Sequence, residues 1–115
     1  MITGVHAIVF SRDAEADRAF FRDVLRLDSV DAGGGWLIFA LPPSELACHS
    51  AGEDRHELYL MCDDIQATVD ELRARGAVIQ EPVEDVPYGR QAWIDLPGGG
   101  RIALYQPSHP TAVGR

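Results

Sequence analysis

The chain has 115 residues, 46% hydrophobic and 24% charged, the composition of a folded domain with enough chain for one core but not two. Its formal net charge is −8, and the 10 basic residues are scattered rather than gathered into a stripe, which argues against a nucleic-acid partner. No apolar run reaches the length of a membrane span and no basic stretch precedes the first one, so the sequence reads as cytoplasmic, its acidity serving solubility or, as the alternative, attracting a cationic ligand.

The first apolar run, VHAIVF at 5–10, alternates and predicts a strand with Val5, Ala7 and Val9 on one face and His6, Ile8 and Phe10 on the other. Asp13 then stands where a carboxylate can cap a helix, and Ala16, Ala19, Phe20, Val24 and Leu27 recur near the helical period. Three strand-like runs follow: LDSVDA, then WLIFALP after a GGG turn, then PSELACHSA. The polar stretch SAGEDR at 50–55 has no periodicity and reads as a connector.

The run HELYLMCDD at 56–64 predicts a second alternating strand, with Leu58, Leu60 and Cys62 on one face and Glu57, Tyr59 and Met61 on the other. Asp64 caps a helix marked by Ile65, Val69 and Leu72, and Gly76 closes it. GAVIQEPVED, QAWIDLP and GGGRIALYQP supply the remaining strands, and both third strands end in Leu-Pro, at Leu41-Pro42 and Leu96-Pro97. The loop EDVPYGR reads as a solvent-facing turn, the alternative being a hairpin loop whose Tyr88 and Arg90 reach over the cleft. Neither triple glycine opens a helix, so both are turns rather than phosphate loops. Cys48 and Cys62 lie in apolar runs without paired spacing and read as buried free thiols.

The chain repeats itself. An offset of 51 positions (57 − 6) lays residues 5–25 over 56–76, and each half reads strand, helix, strand, strand, strand. Neither half can bury its sheet alone, so a single domain is expected: a module at about 1–50, the connector at 50–55, a second module at about 56–107 and a tail at 108–115.

This paired βαβββ pattern, the matching helix openings and the ending LPGGGRIALYQP resemble the vicinal oxygen chelate superfamily, which contains glyoxalase I, bleomycin-resistance proteins and extradiol dioxygenases. The resemblance covers the chain except the tail SHPTAVGR. It implies an α+β fold in which two modules form a curved mixed sheet around a cleft, helices on the outer face, usually in a homodimer. It says less about activity, because the superfamily hosts lyases, isomerases, oxygenases and binders on one scaffold.

Aliphatic strand faces are expected to meet the helices, leaving the polar-bearing faces to the cleft. Glu57, and not His56, is then the counterpart of His6 and points toward the site. Metal-dependent relatives place one ligand on the first strand of each module and one on the last. By resemblance the first pair falls on His6 and Glu57, but the second falls on Ala47 and Ala103, which have no donor atom. His49 and Tyr105 lie two positions further, roughly 6.6 Å along each strand.

A shifted set of His6, His49 and Glu57 resembles the two-histidine, one-carboxylate iron site. The other reading is a metal-free cleft in which His6, His49, Glu57, Tyr59, Trp93 and Tyr105 surround a small planar ligand. The functions implied are a small-molecule binder of the bleomycin-resistance type, a lyase or extradiol dioxygenase using Fe, Mn, Ni or Zn, and a metal-free isomerase or lyase with Glu57 as base and His6 as its partner.

Overall fold

The computed structural model of the chain describes residues 6–45, 47, 50, 52–53 and 56–112. Both helices start where an aspartate can hold their first free amides. In α1 (Ala14–Asp23) the Asp13 side chain accepts from Ala16 N at 3.0 Å, and in α2 (Ile65–Ala74) Asp64 accepts from Ala67 N at 3.1 Å. The two caps are separated by the predicted repeat, 64 − 13 = 67 − 16 = 51, and each contributes about 1 kcal/mol to its helix.

The helices end differently. Gly76 takes the left-handed conformation after α2, at φ 97°, whereas the corresponding region after α1 uses Arg26, the one non-glycine residue with positive φ among the described residues, at 57°. A side chain with a Cβ is strained there.

In the first module β1 (Ser29–Asp31) pairs antiparallel with β2 (Leu37–Phe39) across the GGG turn, whose three glycines all have positive φ. The predicted first strand is not formed: residues 6–11 carry no strand, and Ile8 and Phe10 are exposed. Alternation there separates two apolar faces, so the sequence supplies no polar side to fix an orientation, and a strand requires a ladder partner. Its expected partner PSELACHSA carries no strand at Glu45, Ala47 or Ser50, and Leu46, Cys48 and His49 lie outside the described residues.

The second module forms its sheet in full. The strands are β3 (Tyr59–Met61), β4 (Val78–Ile79), β5 (Glu84–Val86), β6 (Gly89–Asp95) and β7 (Arg101–Pro107), ordered β3-β7-β6-β4, with β5 also pairing β6. β3 runs parallel to β7 and the other pairs are antiparallel, so the sheet is mixed and the fold α+β. The predicted strand GAVIQEPVED is two strands, β4 and β5, divided around Pro82, which has no N–H for a ladder.

One hydrophobic core lies between this sheet and the helices. Ile65 and Val69 of α2 are fully buried against Ile94 of β6, with Ile102 and Leu104 of β7 beside them; side chains of this size stabilise by about 1.5–3 kcal/mol each when buried. Phe20 of α1 belongs to the same core, so the first module's helix packs on the second module's sheet. Two polar contacts fix that docking: Gly98 N donates to Asp17 Oδ1 at 2.6 Å, and Arg75 donates to the Val24 carbonyl at 3.1 Å. Asp17 is buried, with no hydrogen-bond partner for Oδ2. Among the described residues no helix is long and apolar enough to cross a membrane.

Candidate functional site

Strand alternation assigns the faces of the second sheet as the sequence predicts. Leu58, Leu60 and Cys62 pack against the core, as do Ala92 and Ile94 of β6 and Ile102 and Leu104 of β7. The opposite face is therefore left to Tyr59 and Met61, to Gln91, Trp93 and Asp95, and to Ala103 and Tyr105. Register then fixes neighbours: Ala103 sits between Tyr59 of β3 and Trp93 of β6, and Tyr105 between Met61 and Gln91. A methyl floor thus separates two aromatic walls.

The polar groups of this face are largely committed. The Tyr59 hydroxyl donates to Glu57, which holds the phenol's pKa above its ordinary value, with burial adding to the shift. Tyr59 and Tyr105 meet edge to face, centroids 5.4 Å apart, and Tyr88 meets Tyr105 likewise at 6.2 Å. Tyr105 Oη lies 3.0 Å from His109 Nε2, while His109 Nδ1 lies 2.8 Å from the Pro110 carbonyl. A carbonyl can only accept, so Nδ1 carries the proton and Nε2 accepts from Tyr105. Burial, with Glu45 nearby, raises the Tyr105 pKa. The Arg101 guanidinium lies 5.5 Å from the Trp93 ring centroid and 3.7 Å from Asp95.

At the end of the sheet where β3 and β7 begin there is a cavity of about 210 Å³. It brings together three of the predicted site residues, Glu57, Tyr59 and Trp93, adds His56, Arg101 and Ala103, and reaches round the sheet's end to the core-side Leu58, Leu96 and Ile102. His56, predicted on the helix side, shares the cavity with Glu57 because both precede Tyr59, where pairing starts, and alternation does not govern unpaired backbone. Val9, predicted on the helix-facing side of a strand, also reaches the cavity from its unpaired segment.

Tyr105 stands one pleat further along β7, outside this lining. His6 is exposed in the unpaired segment and is not among the lining residues, and His49 lies outside the described residues. Sequence reasoning missed His109, since the tail has no periodicity to place it; Tyr88 is exposed in its turn, as expected, while one edge of its ring meets Tyr105. A second hollow, about 390 Å³, lies between Pro42, Pro43, Met61, Cys62, Pro107 and Thr111. Cys62 there is a free, half-buried thiol whose pKa burial pushes up, so it is a poor nucleophile.

Among the described residues no group of three or more His, Cys, Asp or Glu side chains is arranged as a metal site. Ala103, where the family resemblance calls for a carboxylate, is instead the buried floor between Tyr59 and Trp93.

The second module, one helix and five strands, shares its core with the helix of the first and carries Tyr59, Trp93 and Tyr105 on the face away from that core. No protein-family model matches the chain, and no curated protein matches it either. Solved structures do. One similar structure is that of TnmS3, an antibiotic binding protein from Streptomyces sp. CB03234, at 25% identity and a TM-score of 0.59, covering 90% of this chain and 100% of that one. A glyoxalase/bleomycin resistance protein from the same organism is 27% identical with a TM-score of 0.58, covering 85% and 95%. A member of the glyoxalase/bleomycin resistance protein/dioxygenase superfamily from Sphaerobacter thermophilus has a TM-score of 0.65 at 22% identity, covering 91% and 98%. The shared fold, and the likenesses at 25% and 27% identity, support membership of the glyoxalase/bleomycin resistance protein/dioxygenase superfamily, the vicinal oxygen chelate group.

Proposed function

We propose that this chain binds a small planar molecule against the aromatic face of its second sheet, without a metal ion. The observation that carries the reading is Ala103 between Tyr59 and Trp93. Two strand spacings amount to about 9.5 Å, and a flat ring held between two others needs about 7 Å. A methyl floor leaves that height usable, where a glutamate would fill it. The antibiotic-binding description of one structural neighbour supports the same reading.

Catalysis through Glu57 receives less support, because one of its oxygens already accepts from the Tyr59 hydroxyl. The shifted metal set receives less still: His6 lies in an unpaired, exposed segment. Part of the reading is that the protein acts in the cytoplasm as a homodimer, a second copy covering the open side of the cavity near the exposed Ile8 and Phe10.

Calorimetric titration with flat polycyclic aromatics tests the proposal. Micromolar binding is expected, weakened about 30-fold by Trp93→Ala. Heat that persists unchanged in Trp93→Ala would refute it, as would one equivalent of Fe, Mn, Ni or Zn retained by protein purified without chelators.

A further inference from the structure

The cavity holds side chains of both signs, and they are engaged to different degrees. Glu57 takes the Tyr59 hydroxyl. Arg101 opens β7 opposite Asp95, yet the two approach only to 3.7 Å, an ion pair without a hydrogen bond, and the Asp95 carboxylate already accepts from the Gln80 amide. The guanidinium lies instead over the Trp93 ring. An arginine stacked on an indole keeps its N–H donors in its own plane, directed away from the ring and able to grip a carboxylate by two bonds.

We propose that Arg101 selects the ligand by charge: the cavity takes flat aromatic carboxylates, the ring against Trp93 and Tyr59 and the carboxylate on Arg101. This rests on the planar-ligand reading above and adds to it the ligand's charge. The chain's net charge of −8 favours cations at long range, but within the cavity the balance is reversed. A cationic ligand would meet Arg101 directly and would have to share Glu57 with Tyr59. A carboxylate meets a cation whose ion pair with Asp95 Oδ1, at 3.7 Å, is too long for a hydrogen bond, the other Asp95 oxygen accepting from Gln80. A single guanidinium in a cavity of about 210 Å³ also suits one carboxylate better than a phosphate dianion, which draws on several donors.

The test compares naphthalene carboxylate with naphthalene carboxamide, the same ring with and without the charge, by quenching of Trp93 fluorescence in Trp36→Phe protein. The carboxylate should bind about tenfold more tightly. Arg101→Gln should abolish that preference while leaving carboxamide binding in place, Arg101→Lys should keep part of it, and Asp95→Asn, which removes the competing anion, should enlarge it. A carboxylate-to-carboxamide ratio unchanged in Arg101→Gln, or unaffected by Asp95→Asn, would overturn the role of Arg101 while leaving the planar-ligand reading intact. Failure of both probes to bind would overturn the planar-ligand reading and this inference together.

Discussion

Tyr59 and Glu57 show how a strand residue and one from the unpaired segment before it come to act as a unit. Glu57 lies two positions ahead of Tyr59, where pairing starts, and the phenol closes on its carboxylate. The folded pKa of Tyr59 is raised above the unfolded value of 10.0. Its contribution to stability is therefore complete below about pH 10 and is lost as pH rises toward the folded value. Ultraviolet titration of the tyrosines should find Tyr59 ionising late, and Glu57→Gln should move its titration back toward the ordinary range; an unmoved titration in Glu57→Gln would break the link. Arg26 gives a second prediction at this scale. Its positive φ is strained for a residue with a Cβ, so Arg26→Gly should stabilise the protein by about 0.5–1 kcal/mol in urea denaturation.

At the scale of elements, the parts that were readable from sequence are those where one face is aliphatic and the other is not. Leu58, Leu60 and Cys62 against Tyr59 and Met61 told the two sides of β3 apart, and the core contacts agree. Residues 6–10 were unreadable for the opposite reason: both faces are largely apolar, and the ladder that would choose between them is not formed by these residues. His56 precedes its strand, while Tyr88 and His109 belong to a turn and a tail, where no period constrains a side chain; their contacts with the Tyr105 ring and hydroxyl reveal their place. The turn at 97–100 carries a testable element contact. A Cβ at Gly98 would lie 2.1 Å from Ser11 Oγ and 2.7 Å from Asp17 Oδ2. Ser11 Oγ accepts from Asp13 N, and Asp17 holds the Gly98 amide, so neither moves without losing a bond. Gly98→Ala should cost about 1–3 kcal/mol, and Asp17→Ala a similar amount through the unpaired amide. Denaturation midpoints equal to wild type in both would show that this contact does not hold the helix to the sheet.

Taken as a whole, the two halves that the sequence reads as repeats contribute different described elements. The second supplies a complete five-stranded sheet, and the described part of the first supplies a helix and a hairpin. Helix α1 joins the common core through Phe20, and Asp17 and Val24 receive bonds from the second half. The sheet face away from that core carries Tyr59, Trp93 and Tyr105, all partly exposed. The account stands on that face taking a flat molecule over the alanine floor. Nuclear magnetic resonance of the Ala103 methyl and the Trp93 indole during titration with a polycyclic aromatic carboxylate addresses it most directly. The two signals should shift together, with Tyr59, at the same ligand concentration. Shifts confined to Met61 and Thr111, at the other hollow, with Ala103 and Trp93 unmoved, would contradict it.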